Sequence, residues 1–263
     1  MKIKNGLLMA VALFLLSTNL MAFDSNPVKK DIYQIKVYRM KTNDQVTQVD
    51  NFLKNAYLPA LHRLGVSRVG VFENVGIDTA VEKNIYVWIP LRSLEQLNRI
   101  EDGLTKDITY NNDGAAYLTV PFNVPAYTRI ETIVLRAFKN MPHFQPPSLK
   151  GDPAERIYEL RSYEATSEKL YKQKVHMFNE GDEIALFNRL GFNAVFYAEV
   201  LAGSRMPNLM YMTSFDNQAS RDEHWKKFGA DPEWKRLSAL PEYQHTVSKA
   251  DILLLHPAAY SEL

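Results

Sequence analysis

The stretch NQASRDEHWKKFGADPEWKRLSAL, residues 217–240, predicts two consecutive helices and the turn between them. Residues 231–234 combine a capping side chain, a proline suited to the first helical position and a carboxylate in the first turn, which together predict a helix start. Upstream, Trp225 and Phe228 recur at helical spacing on one apolar face, and Gly229 is able to end that helix. An amphipathic helix needs a surface to cover, so we expect a sheet beneath it.

Working outward from this stretch, the chain contains a repeat. Three segments of the first half match three segments of the second half: residues 32–38 with 157–163, 63–65 with 189–191, and 84–88 with 208–212. The offsets are 157 − 32 = 125, 189 − 63 = 126 and 208 − 84 = 124 residues. A nearly constant offset over three separate elements indicates a tandem duplication.

Each copy reads as strand, helix, strand, strand, helix, strand, which is typical of the ferredoxin-like plait with both helices on one sheet face. Two copies can cover their bare sheet faces by packing them together. The predicted fold class is therefore α+β, with tandem ferredoxin-like βαββαβ repeats that pair within the chain as an α+β barrel. The predicted organisation is a signal peptide at 1–22, a first domain at 31–138, a proline-rich linker at 139–154 and a second domain at 155–258.

The helices of the two copies are predicted to differ in detail. The first helix is interrupted in both copies, near Pro59 in one and at Gly181 in the other. The second helix of the first copy opens at Ser93, where Gln96 completes a capping box. Residues 106–125 then depart from the pattern of the second copy, so the extent of this helix stays open.

The N-terminus and the composition limit where the protein acts and what it binds. Two lysines precede an apolar run over residues 7–16 and the small Ala22, which predicts a Sec-type signal peptide and a periplasmic or secreted protein. A retained anchor is the alternative, but the apolar run is short for the ~20 residues of a membrane span. The net charge is +1 with acids and bases interspersed, which argues against nucleic acid as a partner, and there is no cysteine. We expect no membrane contact after cleavage, and the sequence leaves open whether two self-paired chains form a homodimer.

Strand periodicity gives the first candidate binding site. Alternate residues of a strand point to opposite faces, and we expect the apolar set of the first strand in each copy to lie under the helices. The polar set would then meet where the two sheets pack: Gln34, Lys36, Tyr38, Glu159, Arg161 and Tyr163. Two interpretations stay open. One is a structural network in which Glu159 pairs with Arg161 or Lys36, and the other is a cleft that binds a small anion or carbonyl through Arg161 and the tyrosines.

The space between helices and sheet in the second copy is the other candidate. Five aromatic side chains would wall it: Phe178, Phe187, Trp225, Phe228 and Trp234. Four further residues could add polar groups there: Asn179, Glu199, Tyr211 and Arg221. Aromatic residues at helical spacing are more often core than binding site, and the simpler interpretation of Arg221 is a solvated arginine stacked on Trp225.

The histidines predict no metal site, because no pair among the six has the spacing of helical metal ligands. The best suggestion for a metal or haem ligand is His176, which is followed by Glu180 one turn later, although a charged helix face explains this group equally well. His62 as an axial haem ligand is no stronger. We therefore predict no cofactor.

Three motifs carry a resemblance to a known family: R-D-x-x-W-x-x-F-x-A-D-P-E-W at 221–234, IYELRSY at 157–163 and FNRLGF at 187–192. They resemble the NIPSNAP family, strongly over residues 156–257 and more faintly over 31–138. The resemblance implies the dimeric α+β barrel superfamily, in which ligands usually enter between helices and sheet. That superfamily also holds cofactor-independent monooxygenases, isomerases and haem-degrading or haem-binding enzymes, while NIPSNAP relatives are described in trafficking and as interaction proteins.

The resemblance therefore implies an exported bacterial two-domain member that acts as a small-molecule-binding or interaction module. The alternative is a cofactor-independent monooxygenase or isomerase-type enzyme acting on a small aromatic or carbonyl compound. In that case Arg161, Tyr163 or Asn179 would polarise a carbonyl or stabilise an enolate. An enzyme needs a water-excluding cavity with convergent polar groups, whereas a binding module can show only a filled aromatic core.

Overall fold

A computed structural model describes residues 28–263. Eight strands form a closed barrel, and the helices lie outside it. The strands are β1 (Ile32–Met40), β2 (Gly70–Asn74), β3 (Lys83–Leu91), β4 (Arg129–Ala137), β5 (Ile157–Glu164), β6 (Asn193–Ala202), β7 (Asn208–Phe215) and β8 (Lys249–Pro257). The predicted signal peptide lies outside the described residues, and within 28–263 no helix combines the length and hydropathy needed to cross a bilayer.

Each half of the chain supplies four neighbouring strands. The order around the barrel is β1-β3-β2-β8-β5-β7-β6-β4, and every pair is antiparallel. Half a turn around the barrel therefore carries β1, β3, β2 and β4 onto β5, β7, β6 and β8. The halves join through two edges, β2 with β8 and β4 with β6. The predicted fold, two ferredoxin-like repeats closing within one chain as a dimeric α+β barrel, is confirmed.

Local sequence explains where the helices begin and end. They are α1 (Asn43–Phe52), α2 (Leu58–Arg63), α3 (Leu94–Lys106), α4 (Ile108–Asp113), α5 (Ala115–Leu118), α6 (Glu168–Asn179), α7 (Glu183–Arg189), α8 (Gln218–Ala230) and α9 (Pro232–Ser238). The predicted cap of α3 by Ser93 is confirmed, since the Gln96 backbone N donates to Ser93 Oγ, while Gln96 Oε1 accepts from the backbone N of Arg92, one residue before the cap. Asp231 caps α9 by accepting from the backbone N of Glu233 at 2.9 Å.

Two helix predictions need correction. Gly229 does not end α8, which continues to Ala230 because the cap that ends it is the extended Asp231. In the second copy the expected interruption is present, with Asp182 at φ 63° between α6 and α7. In the first copy, however, α1 and α2 are joined by a π-helical turn, Leu53–Tyr57, and Pro59 lies in the first turn of α2, where a proline needs no hydrogen bond from its nitrogen.

The expected orientation of the first strand in each half is wrong. Tyr33, Ile35, Tyr158 and Leu160 fill the barrel interior instead of lying under the helices. The polar set faces the helices: Gln34, Lys36, Tyr38, Glu159, Arg161 and Tyr163. The physical reason is that the interior is filled by apolar side chains, so it takes the apolar set, whereas the helices bring polar groups that can satisfy a buried charge.

Candidate functional site

In the second half, Glu159 lies at the centre of a closed network of ionic and hydrogen bonds between sheet and helix. Its side chain is 0% exposed and accepts from Nε of Arg161 at 2.5 Å, Nε of Arg221 at 2.7 Å and Nε1 of Trp225 at 2.7 Å. The Arg161 guanidinium also lies 3.6 Å from the centroid of the Trp225 ring. The cation stacked on Trp225 is therefore Arg161 and not Arg221, because Arg221 instead pairs with the carboxylate.

The network continues into two tyrosines. Nη1 of Arg161 donates to the Tyr163 hydroxyl at 2.9 Å, and that hydroxyl lies 2.9 Å from the hydroxyl of Tyr211. Burial raises the pKa of Tyr211 well above its usual value, so its hydroxyl stays protonated. The polar atoms of Arg161 are thus occupied by protein groups, which is the arrangement that the structural interpretation predicts.

The aromatic residues of the second half pack against one another. Ring centroids lie 4.8 Å apart for Phe187 and Phe228, 4.4 Å for Phe228 and Trp234, and 5.8 Å for Phe187 and Trp225. Phe178 joins the same cluster and is fully buried. The space beneath Trp225 is filled by core side chains, as the simpler interpretation of this pattern predicts.

The remaining candidates of the second half do not converge on one point. Asn179 Oδ1 accepts from the backbone N of Asn140 at 3.1 Å. Glu199 accepts from the hydroxyl of Tyr171 at 3.3 Å and from Nη2 of Arg136 at 3.4 Å. Each of these polar groups is held by its own neighbours.

Neither histidine suggested as a ligand is part of a metal cluster. His176 Nδ1 lies 2.8 Å from the hydroxyl of Tyr243, and His62 Nε2 lies 2.6 Å from a carboxylate oxygen of Glu262. Over residues 28–263, no group of three or more histidine and carboxylate side chains is placed to hold a metal ion.

The first half has different residues at the matching positions. With the offset of 125, Gln34 is the repeat equivalent of Glu159, and Lys36 is the repeat equivalent of Arg161. The helix caps Ser93 and Asn217 are 217 − 93 = 124 residues apart. With this offset, Glu101 is the repeat equivalent of Trp225. The matched pairs are Gln34 with Glu159, Lys36 with Arg161, Tyr38 with Tyr163, and Glu101 with Trp225. The first half therefore lacks both the central carboxylate and the indole that fills the second half.

A pocket of about 270 Å³ opens in the first half between helices and sheet, where the second half is filled. Strand β1 supplies Lys36 and Tyr38, and the helical segments supply most of the wall. The lining residues are Lys36, Tyr38, Phe52, Tyr57, Glu101, Leu104, Thr105, Tyr110, Asn111, Tyr117, Leu118 and Ile130. Polar and aromatic groups converge here, so this pocket is the candidate functional site.

Lys36 is the central cation of the pocket. Its Nζ donates to the hydroxyl of Tyr57 at 3.5 Å and lies 5.0 Å from the centre of that ring. Within the described part of the chain Lys36 forms no salt bridge with a carboxylate inside 4.0 Å. Burial lowers the pKa of Lys36, and the charge of Glu101 partly opposes that effect.

The tyrosines of the pocket are hydrogen-bond donors at neutral pH. Burial raises the pKa of Tyr110 to about 12 and raises the pKa values of Tyr38, Tyr57 and Tyr117 further. The π-helical turn places Tyr57 beside Lys36, and insertions of this kind are frequent at functional sites. Sequence reasoning named Lys36 and Tyr38 but missed the other tyrosines and Glu101. The one usable signal was the replacement of Trp225 by Glu101 at the matching position of the repeat.

Comparison with known proteins finds solved structures of similar fold and a sequence family that matches the second half of the chain. No curated protein sequence matches the chain. A candidate monooxygenase from Fusobacterium nucleatum superposes with a TM-score of 0.59 at 7% identity, covering 88% of this chain and 93% of that one. An anthrone oxidase-like protein gives a TM-score of 0.54 at 12% identity, with 88% and 93% covered. A candidate monooxygenase from Lactobacillus acidophilus gives 0.54 at 14% identity, with 89% and 98% covered.

At these identities the likeness to solved structures shows a shared fold alone. The sequence model of the NIPSNAP family matches residues 158–262. This match spans β5 to β8, the Glu159 network and the helix pair α8 and α9, which are the elements that carry the motifs of the second half. The second half of the chain thus matches the NIPSNAP family over residues 158–262, as its sequence motifs predict.

Proposed function

We propose that this protein binds a small aromatic molecule carrying a carbonyl, carboxylate or phenolate oxygen, in the pocket of the first half. The observation that carries the proposal is Lys36. Its ammonium group is turned toward a cavity, has one hydroxyl partner at 3.5 Å and lacks a carboxylate partner within the described chain. A partly desolvated cation of this kind is stabilised by an anionic or strongly polar acceptor in the ligand.

The walls of the pocket favour a flat ligand. Phe52 and Tyr117 are stacked with centroids 3.8 Å apart, and Tyr57 stacks on Phe52 at 5.7 Å. A cavity of 150 Å³ takes up benzene, so a pocket of about 270 Å³ has room for roughly two fused rings. The aromatic rings supply apolar contact area, while Lys36 and the tyrosine hydroxyls orient the polar end.

The second half supports this assignment by contrast. There the matching cation, Arg161, is neutralised by Glu159 and covered by Trp225. The first half has Gln34 and Glu101 at the positions of Glu159 and Trp225, which leaves Lys36 uncovered. One molecule of this aromatic ligand per chain is therefore expected, in the first half and not in the second.

Direct binding measurements test the proposal. We use 2-naphthoate as the probe and isothermal titration calorimetry on the purified chain. Lys36→Met is expected to weaken binding about tenfold or more, because a charged hydrogen bond contributes roughly 1.5–3 kcal/mol. Lys54→Met is the matched control, because it removes an exposed lysine from the π-helical turn that carries Tyr57. This variant should bind the probe as the wild type does. Equal affinity in Lys36→Met would overturn the proposal.

A second variant tests the location of the site. Glu101→Trp installs in the first half the residue that stands at the matching position of the second half, and it should fill the pocket and abolish binding. Circular dichroism confirms that each variant is folded. Retained binding in Glu101→Trp would place the probe elsewhere on the protein.

The lowered pKa of Lys36 favours catalysis as a second candidate function. Lowering the pKa of an amine makes its neutral form easier to reach, and a neutral amine can accept a proton from a carbon or hydroxyl next to a carbonyl, as a cofactor-independent monooxygenase or isomerase requires. This moves the proposed chemistry from Arg161, Tyr163 and Asn179, whose polar groups are occupied, to Lys36. Oxygen uptake with anthrone, chosen from the name of one fold neighbour, is expected to disappear in Lys36→Met. No uptake by the wild type would leave binding as the function.

A further inference from the structure

The barrel interior holds a cavity of about 300 Å³ at one end. Its walls are apolar strand side chains contributed by both halves: Ile35, Val37, Leu160, Val200, Met210 and Leu253. This cavity lies on the inner face of the sheet, whereas the Lys36 pocket lies on the outer face. The sheet separates the two, so the interior cavity is a distinct space with its own chemistry.

Two asparagines give the cavity a polar end. Asn84 and Asn208 both line it and are 8% and 3% exposed. They are repeat equivalents, 208 − 84 = 124 residues apart, near the starts of β3 and β7. Half a turn around the barrel relates these strands, so the two side chains lie at the same end of the barrel on opposite walls.

The carboxamide oxygens of these asparagines lack a protein partner. Oδ1 of Asn84 and Oδ1 of Asn208 are buried and accept no hydrogen bond from the described residues, while Nδ2 of Asn208 donates to Oγ of Ser162 at 2.8 Å. A buried acceptor without a donor destabilises the fold, and such groups are rare in folded proteins. Two of them in one cavity point to a ligand that supplies hydrogen-bond donors.

The charged side chains at the rim of the cavity are already paired with one another, including Glu82, which lies 4.0 Å from Nη1 of Arg39. Arg39 donates to Glu131 at 2.9 Å, and Ser204 Oγ donates to the other oxygen of that carboxylate at 2.5 Å. Arg205 forms an ion pair with Asp251 on the opposite side. A charged ligand group would have to lose its water beside groups that are already paired, so the rim selects against net charge.

We propose that the barrel interior is a second binding site, for an uncharged, elongated apolar molecule with a hydroxyl or amide N–H at one end. The apolar part lies against the strand side chains, and the donor reaches Oδ1 of Asn84 or Oδ1 of Asn208. A cavity of 150 Å³ takes up benzene, so about 300 Å³ accommodates a chain of roughly twelve non-hydrogen atoms at most. The proposal is independent of the function assigned to Lys36.

Calorimetric titration with 1-octanol, octyl methyl ether and octanoate tests the proposal. The three probes share an octyl or similar chain and differ in the polar end. The alcohol can donate a hydrogen bond, the ether can only accept one, and octanoate carries a negative charge. The wild type should bind 1-octanol more tightly than the ether by about three- to tenfold, the range that one hydrogen bond contributes, and octanoate still more weakly. Asn84→Leu combined with Asn208→Leu should remove the preference for the alcohol.

Two neighbouring substitutions on β8 locate the site. Leu253→Phe fills the cavity and should abolish octanol binding, whereas Ile252→Phe places the same ring on the exposed outer face and should leave binding unchanged. Val200→Phe fills the cavity from β6 and serves if Leu253→Phe does not fold. The proposal is overturned if the wild type does not bind octanol, if a folded cavity-filling variant still binds it, or if octanoate binds as tightly as octanol.

Discussion

Replacing Glu159 by glutamine tests whether the buried network of the second half holds that half together. The substitution keeps the shape of the side chain but removes its charge. Gln34 stands at the matching position of the first half, where Lys36 stands at the position of Arg161. The carboxylate of Glu159 now accepts three hydrogen bonds, from Arg161, Arg221 and Trp225.

The expected loss can be worked out from these contacts. The single carbonyl oxygen of glutamine can accept from one side of the network, while its amide group turns toward another donor. Oε1 accepts from Arg161 and Oε2 accepts from both Arg221 and Trp225, so one or two charge-assisted hydrogen bonds are then lost, each contributing roughly 1.5–3 kcal/mol. Arg161 also remains buried without a counter-charge. Breaking a buried ion pair in this way costs about 3–5 kcal/mol, and we expect the free energy of unfolding to fall by that amount.

Urea denaturation followed by far-UV circular dichroism and tryptophan fluorescence measures the change. The matched control is Glu223→Gln, which removes an exposed carboxylate paired with Lys227 on the same helix that carries Arg221 and Trp225. That control should change the free energy of unfolding by less than about 0.5 kcal/mol. A loss below about 1 kcal/mol in Glu159→Gln would refute the reasoning, because it would mean that the two arginines find other partners.

Three further predictions concern stability. Burial, followed by the charges of Asp50 and Asp78, raises the pKa of Glu73 to about 7. Since the folded protein holds this proton more tightly than the unfolded chain, the contribution is present below about pH 4.5 and is lost as the pH rises through 7, by about 1–2 kcal/mol after allowing for its partial exposure. Urea titrations from pH 5 to 8 should show this decline in the wild type, and it should be reduced in Glu73→Gln. Asp231→Ala removes the cap of α9 and should cost about 1–2 kcal/mol in the same assay, whereas an unchanged midpoint would show that another group caps the helix. Phe187→Ala empties a fully buried position in the aromatic cluster and should cost about 3–5 kcal/mol, and a loss under 1 kcal/mol would mean that the cluster repacks.

The overall fold could be predicted because several independent sequence signals agree. The repeat offsets predicted two equal halves, Asp231 and Pro232 predicted the start of α9, and Ser93 with Gln96 predicted the start of α3. The two helix signals are local in sequence, and local hydrogen bonds decide helix ends whatever the rest of the chain does.

Which side chains of each strand lie inside the barrel could not be predicted in the same way. Alternation along β1 and β5 separates two sets of residues but does not say which set lies inside the barrel, since both faces of the sheet are covered. The outcome depends on Arg221 and Trp225, which reach Glu159 from a helix more than sixty residues away. The pocket beside Lys36 was missed for a related reason. Tyr110 and Tyr117 come from the stretch where the two copies diverge, and Tyr57 is placed by a π-helical turn that has no simple sequence signature.

The two edge pairings that close the barrel, β2 with β8 and β4 with β6, lie within one polypeptide. A barrel assembled from two identical subunits comes apart on dilution and must carry every substitution twice, once on each side of its axis. Here closure is unimolecular, and each side can change alone. Because each side can change alone, Arg161 packs under Trp225 on one side, while Lys36 faces a cavity at the symmetry-related position on the other.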